Sequence, residues 1–170
     1  MQRKSDGPFS KINKQTLLKI LKNIDSSLFK NKYHMKSIII LNGHHGNVGA
    51  LKSAERDETK FLSDFPQRKL RFYSYWHFMK HEFDHAGFVE TSLMLAISDK
   101  VKMKKAKKGL ITKDLSEKER KRINKLSTEP GGFPKVAKNG VWGDPTGATK
   151  KDGEKFLAEI VRNLAKECQT

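Results

Sequence analysis

The feature that most constrains the fold is the stretch Ser37 to Asn47, in which an apolar, β-branched run leads into the turn Asn-Gly-His-His-Gly-Asn. The run Ile38 to Ile40 shows no alternation of apolar and polar residues, so it predicts a strand buried on both faces of a parallel sheet. Open parallel sheets bind ligands beyond the carboxyl ends of their strands. We therefore expect His44 and His45 to lie in a crevice at that edge.

The pattern of the remaining chain alternates helices with strands, which is typical of α/β proteins. Leu70 to Trp76 predicts a second strand, whose carboxyl end should lie beside that of the first. Apolar spacing predicts helices over about Lys14 to Lys30, Val48 to Leu62, Ala86 to Ile97, Glu117 to Lys125 and Asp152 to Lys166, with a turn at Glu129 to Pro134 and a loop at Gly140 to Thr149. We expect one domain over residues 1–170.

The composition indicates the cellular compartment and excludes some kinds of metal site. No apolar run reaches membrane-spanning length, and Met1 to Ser10 is polar and lacks the core of a signal peptide, so a cytoplasmic protein without a membrane partner is expected. A single cysteine, Cys168, excludes an internal disulfide and a cysteine-based metal cluster. Any metal must therefore be held by histidines and carboxylates.

The formal net charge of +16 raises nucleic acid as a partner. Lysines account for most of it and are spread along the chain, and no aromatic-interleaved basic motif occurs, so a solvated lysine surface is the favoured interpretation. The run Lys100 to Lys108 contains six lysines. It is either a local anion-binding patch or a flexible exposed connection, and we favour the connection.

A second chemical cluster lies in the sequence Asp84-His85-Ala86-Gly87-Phe88-Val89-Glu90. If His85 begins a helix, Glu90 follows slightly more than one turn later, so both side chains can face one pocket. An imidazole and a carboxylate are ligands that suit zinc or manganese. The ordinary alternatives are that His44 and His45 are simply exposed in a turn, and that Glu90 is an acidic residue favoured in the first turn of a helix by the helix dipole.

Four motifs in order carry a family resemblance. They are Asn42-Gly43-His44-His45-Gly46-Asn47, Tyr73-Ser74-Tyr75-Trp76, His85-Ala86-Gly87 with Glu90-Thr91-Ser92, and Gly143-Asp144-Pro145 with Ala148-Thr149. Together they resemble the successive signatures of the creatininase family of metal-dependent amidohydrolases, from about Pro8 to the C-terminus. The lysine-rich segment is the part least similar to the family.

The resemblance implies a three-layer α/β/α fold with a mainly parallel sheet, commonly assembled into hexamers. It implies a dinuclear centre of divalent metal, with zinc as first choice and manganese or iron as alternatives, that hydrolyses a non-peptide C–N amide bond in a small, cyclic or formylated substrate. His44 and Glu90 match metal ligands, His85 matches a proton-transferring histidine, and Trp76 matches an aromatic wall of the substrate pocket. His45 stands where the family usually has glycine or tyrosine, and we assign it to substrate binding.

The chain departs from the family at its start. Members begin with a strand that supplies a Glu-x-His-Gly segment and, later, a metal-bridging Asp, and no such segment occurs here. The sequence is therefore expected to be a family member without its first strand and helix and without three of five ligands. The alternatives to an amidohydrolase are a catalytically inactive binding or assembly subunit and, from charge alone, a nucleic-acid-binding module.

Overall fold

The computed structural model describes residues 37–56, 69–129 and 131–169, together with positions 15, 16, 19, 20, 23, 24 and 27. These residues fall into two compact units that divide between Tyr75 and Trp76. The seven isolated positions are all helical, within the helix predicted over Lys14 to Lys30, and the rest of that helix lies outside the described residues.

The first unit contains a pair of parallel strands. Strand β1, Ser37–Asn42, pairs with β2, Lys69–Ser74, in a register that sets Asn42 opposite Ser74. A 3-10 turn, His45–Asn47, and helix α1, Val48–Arg56, follow β1. The prediction that the two strands lie side by side with their carboxyl ends at one edge is confirmed. The predicted extension of the helix from 57 to Leu62 lies outside the described residues.

The expectation that β1 is buried on both faces is wrong for this chain. Ile38, Ile39 and Ile40 are half-buried, and 46% of Leu41 is exposed. Helix α1 packs on the two-stranded sheet through β2. Strand β2 also ends earlier than predicted, at Ser74, because the backbone turns into a 3-10 helix over Tyr75–Phe78.

The second unit is helical. Helix α2, Phe88–Ile97, packs against the long helix α5, Lys150–Cys168, while α3, Glu117–Thr128, packs against the short α4, Phe133–Val136. Two 3-10 turns, Met103–Lys105 and Pro145–Gly147, lie between these helices in sequence. The buried apolar side chains of this unit are Phe78, Met79, Val89, Ala137, Ala148, Phe156 and Ile160.

The structure corrects two predicted boundaries here. Helix α2 begins at Phe88 rather than Ala86, because Ala86 has a left-handed backbone with φ of 51° and cannot continue a right-handed helix. The predicted turn at Glu129 to Pro134 contains the start of α4, with Pro134 in its first turn, where a missing N–H costs nothing. The other helices extend the predicted ranges by a few residues at their ends.

Helices α2 and α5 are in backbone contact. Ser92 of α2 is fully buried, and its hydroxyl accepts a hydrogen bond from the Thr149 N–H at 3.3 Å. A Cβ on Gly153 of α5 would lie 1.8 Å from the Ser92 carbonyl oxygen. Glycine is therefore required at position 153 for the two helices to approach this closely.

Helix α5 begins with a reciprocal cap. The Thr149 hydroxyl accepts a hydrogen bond from the Asp152 N–H at 3.0 Å and donates to the Asp152 carboxylate at 2.6 Å. The bond from Thr149 is the main reason that the pKa of Asp152 lies below its usual value. Thr146 lowers the pKa of Asp144 in the same way at the preceding 3-10 turn.

These caps predict an acid-sensitive part of the stability. A carboxyl whose pKa is lowered by folding stabilises the native state above its unfolded pKa, and that contribution is lost as the pH falls through the folded pKa, below about pH 4. Thr149→Val should therefore reduce the loss of stability on acidification, measured by urea unfolding from about pH 7 to pH 3. Thr128→Val removes an exposed hydroxyl that is bonded to a carbonyl, and it should leave the loss of stability on acidification unchanged. Equal effects of the two variants would contradict this.

The described elements form an α/β fold, which confirms the predicted class. Among the described residues, no helix combines the length and the apolar character needed to cross a membrane.

Candidate active site

The loop after β1 is organised by Asn42. Its amide nitrogen donates to the Ser74 hydroxyl at 3.1 Å, which ties together the ends of β1 and β2. Its amide oxygen accepts from the His44 N–H at 3.1 Å and from the Asn47 side chain at 3.2 Å. Asn42 and Ser74 are both buried. Because each side-chain atom of Asn42 has a fixed partner, the backbone of His44 is held in one place.

The ring of His44 folds back over the loop. Its Nδ1 accepts a hydrogen bond from the Gly46 N–H at 3.1 Å, so the neutral ring carries its proton on Nε2. A Cβ on Gly46 would lie 2.9 Å from the ring atoms Nδ1 and Cε1, so glycine at position 46 makes room for the imidazole. His45 begins the 3-10 turn and is exposed. Both histidines are exposed just after the carboxyl end of β1, and the crevice expected around them remains a prediction.

His85 is held by contacts on three sides. Its backbone N–H and C=O form a reciprocal pair of hydrogen bonds with Trp142, at 3.0 and 2.8 Å. Its ring lies against Phe133, with the centroids 4.5 Å apart. Its Nδ1 is 3.0 Å from the Gly140 carbonyl oxygen. A carbonyl oxygen only accepts hydrogen bonds, so Nδ1 carries the proton and Nε2 of the neutral ring carries the lone pair. This is the tautomer that a general base needs.

Asp84 and Glu90 accept hydrogen bonds from the backbone at the start of helix α2. Both oxygens of Asp84 accept hydrogen bonds from helix N–H groups, Oδ2 from Val89 at 2.8 Å and Oδ1 from Glu90 at 3.1 Å. Glu90 in turn accepts from the Ala86 N–H at 2.7 Å through Oε2. Asp84 therefore positions the backbone of Glu90, and both carboxylates complement the positive end of the helix dipole.

Removing this cap should weaken the second unit. Asp84→Ala leaves two helix N–H groups without their partner and is expected to lower the free energy of unfolding by about 1 to 2 kcal/mol, measured by urea unfolding. Asp84→Asn keeps one acceptor oxygen and should cost less. Glu82→Ala, at an exposed neighbouring carboxylate, is the matched control and should be near neutral. A near-neutral Asp84→Ala would show that the cap is not needed.

Trp76 lies in the 3-10 turn Tyr75–Phe78 rather than at the end of a strand. Its indole packs on Phe83 with ring centroids 4.5 Å apart and meets His77 edge-on at 6.0 Å. The side chain is half-buried. Its predicted role as an aromatic wall of the substrate pocket remains a prediction.

Glu90 lines a cavity of about 300 Å³, which we call the glutamate cavity. Met94, Ser98 and Lys100 also line it. His85 is not among the residues that line this cavity, so the expectation that both side chains face one pocket is not met there. Its ring contacts Phe133 and Gly140 instead.

The donors at His44 and Glu90 fit a divalent metal in type, since imidazole and carboxylate both suit zinc and manganese. Binding through Nε2 of His44 requires the proton to move to Nδ1, and the Gly46 N–H must then give up its bond. Within the part of the chain that the structure describes, no three His, Cys, Asp or Glu side chains form a group that could hold a metal. The described residues therefore supply suitable ligands but not a complete site.

The sequence motifs do not reveal the roles of three supporting groups, which are the Asn42 side chain, the Asp84 carboxylate and the Gly140 carbonyl. A local signal existed for Asp84, because an acid shortly before a helix is a common cap. The partners of Asn42 and His85 lie 32 and 55 residues away in sequence, so no local pattern reveals them.

Comparison with known proteins agrees with the motifs. The family model described as "Creatininase: Creatinine amidohydrolase" matches residues 10–168. A curated relative, the mycofactocin precursor peptide peptidase of Mycobacterium ulcerans (strain Agy99), is 33% identical over 128 residues, which cover 73% of this chain and 44% of the relative. The chain thus spans less than half the length of this relative.

Solved structures share the fold. A crystal structure from Bacteroides fragilis NCTC 9343, assigned as a creatinine amidohydrolase, is 26% identical with a TM-score of 0.66, covering 89% of this chain and 59% of its own. Creatininase structures described as "Zn-Zn type" and "Mn" are 21% and 22% identical, each with a TM-score of 0.64 over 93% of this chain and 64% of their own. At that identity the last two show the fold alone.

Three observations agree on the class of protein to which the chain belongs. They are the fold, the Asn-Gly-His loop after a parallel strand, and the family match over residues 10–168. The chain belongs to the creatininase family, whose fold is that of metal-dependent amidohydrolases.

Proposed function

We propose that this chain forms part of a metal-dependent amidohydrolase that cleaves a C–N amide bond. The observation that carries the proposal is the orientation of His85. The Gly140 carbonyl fixes the proton on Nδ1, Phe133 contacts the ring, and Trp142 holds the backbone of His85, so Nε2 carries the lone pair that takes up and returns a proton.

In this proposal, His44 and Glu90 are two of the metal ligands. When bound, a divalent ion supplies polarisation of the amide carbonyl and lowers the pKa of a coordinated water. His85 takes up a proton from the attacking water at Nε2 and then gives that proton to the leaving nitrogen, because an amide nitrogen leaves as a neutral amine and not as an anion. Asn42 and Asp84 act as positioning residues, since they hold the backbone of His44 and of Glu90. Trp76 and His45 border the substrate.

Two substrate classes compete. The family resemblance favours a small cyclic or formylated amide, as in creatinine. The curated relative at 33% identity is named as a peptidase of a precursor peptide, which favours an amide within or at the end of a peptide. The identity to the creatininase structures is lower, so we place a peptide amide first and a creatinine-like amide second.

Three further assignments belong to this proposal. Zinc is the first choice of metal and manganese or iron the alternatives, because imidazole and carboxylate ligands suit all three. A homo-oligomer is supported by the resemblance and by exposed apolar side chains, of which Leu41, Ile97 and Val161 are 46%, 63% and 56% exposed. A cytoplasmic location rests on composition and the single cysteine.

A non-catalytic binding or assembly subunit is the second candidate. It is favoured by the ligand count, since the described residues do not bring three metal-binding side chains together. Two protein ligands bind a catalytic metal weakly, because such sites normally have three.

Hydrolysis assays on matched chains separate the two candidates. We expect the 170-residue chain with added zinc or manganese to show little hydrolysis of creatinine, an N-formyl amide or a peptide amide. The same chain extended by a family segment with Glu-x-His-Gly and the bridging Asp should gain activity on one of them. If the extended chain binds stoichiometric metal and stays inactive on all three, the enzymatic proposal is wrong. Robust turnover by the unextended chain would show that other residues complete the site, with Asp84, His45 and Glu82 the first to test.

A further inference from the structure

A second cavity, which we call the basic cavity, lies in the helical unit and has a volume of about 310 Å³. Lys102, Lys105 and Lys107 line it, together with Asn139, and no acidic residue does. Among the described residues, none of these three lysines forms a salt bridge. All three lysines are exposed, so the basic cavity lies among exposed positive charges.

The wall of the basic cavity is held by backbone contacts. The Gly109 N–H donates to the Gly143 carbonyl at 3.0 Å, and the Leu110 N–H donates to the Val141 carbonyl at 2.9 Å. The Asn139 side chain donates to the Lys108 carbonyl at 3.1 Å. The lysine-rich run is thus attached at its end to the segment after α4, and the 3-10 turn Met103–Lys105 shapes its middle. The expectation of an exposed connection is confirmed, since all six lysines of the run are exposed, and its end is held by these hydrogen bonds.

The basic cavity adjoins the glutamate cavity. Ala86, Thr91 and Val101 line both, so a ligand in one can extend into the other. Glu90 on the shared side is the proposed metal ligand. The volume is at the lower end of the range for small-molecule sites, which suits a compact group of one ligand.

We propose that the basic cavity binds the anionic group, a carboxylate or a phosphate, of an amide substrate whose scissile bond lies towards Glu90. This inference rests on the proposed function and specifies its substrate class as an acidic amide. The lysines act as point charges for the anion, and the apolar side chains of Val101, Met103 and Val141 contact its carbon atoms.

Binding to the full chain without metal tests the cavity independently of catalysis. The probes are hippurate, an amide with a carboxylate, and hippuramide, its neutral counterpart, titrated while backbone amide signals are followed by NMR. Hippurate should shift signals of residues 101–107 and Thr91 and bind about tenfold more tightly than hippuramide, since a few screened charge pairs supply about that factor. Phenyl phosphate in place of hippurate shows whether carboxylate or phosphate is preferred, and tighter binding of either anion supports the proposal.

Matched variants locate the effect. Lys102→Gln, Lys105→Gln and Lys107→Gln combined should weaken hippurate binding about tenfold. Lys113→Gln, Lys118→Gln and Lys125→Gln combined remove the same charge from exposed lysines outside the cavity and should change it less than about twofold. Equal losses in both triple variants, equal binding of hippurate and hippuramide, or displacement of hippurate by a short single-stranded oligonucleotide with the same shifted signals would overturn the proposal.

The outcome also separates this inference from the proposed function. If hippurate binds specifically but the extended, metal-loaded chain hydrolyses no amide, the basic cavity stands as an anion site and the proposed amidohydrolase function is wrong. If the extended chain hydrolyses acidic and neutral amides equally, and the triple variant of the cavity lysines leaves the rate unchanged, the amidohydrolase function stands. The basic cavity is then not the anion site of its substrate.

Discussion

Gly153→Ala is expected to lower the free energy of unfolding by about 3 kcal/mol, at the upper end of the usual cost of overpacking. The added Cβ would meet the Ser92 carbonyl oxygen at 1.8 Å and the Ala96 Cβ at 3.0 Å. The first of these atoms belongs to the backbone of α2 and cannot rotate away. Helices α2 and α5 must therefore separate, which opens the largest helix–helix contact of the second unit.

Gly49→Ala is the matched control for this prediction. Gly49 also lies in the first turn of a helix, α1, but a Cβ there would have no atom within 4 Å. Alanine should be neutral there or stabilising by up to about 1 kcal/mol, because it has the higher helix propensity. Urea unfolding of both variants measures the difference. Similar stabilities would show that α2 and α5 are not as close as the structure places them.

His85→Ala is expected to lower kcat of the active, extended chain by about 10² to 10⁴-fold, the usual contribution of a positioned acid or base. Its metal content should not change, because His85 is not a proposed ligand. The loss should fall on kcat more than on KM, since the proton is needed in the transition state. Glu90→Gln and His44→Ala should instead lose metal together with activity.

His81→Ala is the control for His85→Ala. His81 is an exposed histidine of the same unit whose ring lies against Phe156, 4.8 Å between centroids, and it has no proposed role in catalysis. It should keep kcat within about threefold, well below the effect of losing a catalytic acid or base. If His81→Ala and His85→Ala reduce kcat equally, the effect is structural, and the assignment of His85 fails.

Local patterns predicted the elements that depend on local sequence. The isoleucine run and the glycines beside His44 predicted a strand followed by a turn, and β1 and the 3-10 turn lie there. The apolar spacing of Phe156, Leu157, Ile160, Val161 and Leu164 predicted α5 and a buried face. Phe156 and Ile160 are buried, whereas Leu157 and Val161 are exposed. These features depend on periodicity and turn chemistry, which a single sequence displays.

The remaining features are not visible in the apolar spacing, because they depend on caps, on backbone conformation or on partners distant in sequence. Helix α2 starts at Phe88 because Ala86 adopts a left-handed backbone and Asp84 caps two later N–H groups, whereas apolar spacing alone extends the helix to Ala86. The lysine-rich run lines a cavity because Gly109 and Leu110 pair with residues more than 30 positions later. A Cβ on Gly109 would lie 2.1 Å from the Val141 carbonyl oxygen, and only the structure reveals that approach.

The proposal that His44 and Glu90 hold the same divalent ion is tested most directly by titrating the chain with Mn²⁺ and following backbone amide signals by NMR. Paramagnetic broadening detects weak binding, so it applies even where two ligands give low affinity. The proposal predicts that signals of Gly46 and Asn47 and signals of Ala86 and Glu90 broaden at the same Mn²⁺ ratio, and that zinc reverses both. His44→Ala or Glu90→Gln should each abolish both effects, whereas His77→Ala and Glu82→Gln should not. Broadening of one set alone, or its survival when the other ligand is removed, would contradict a shared site.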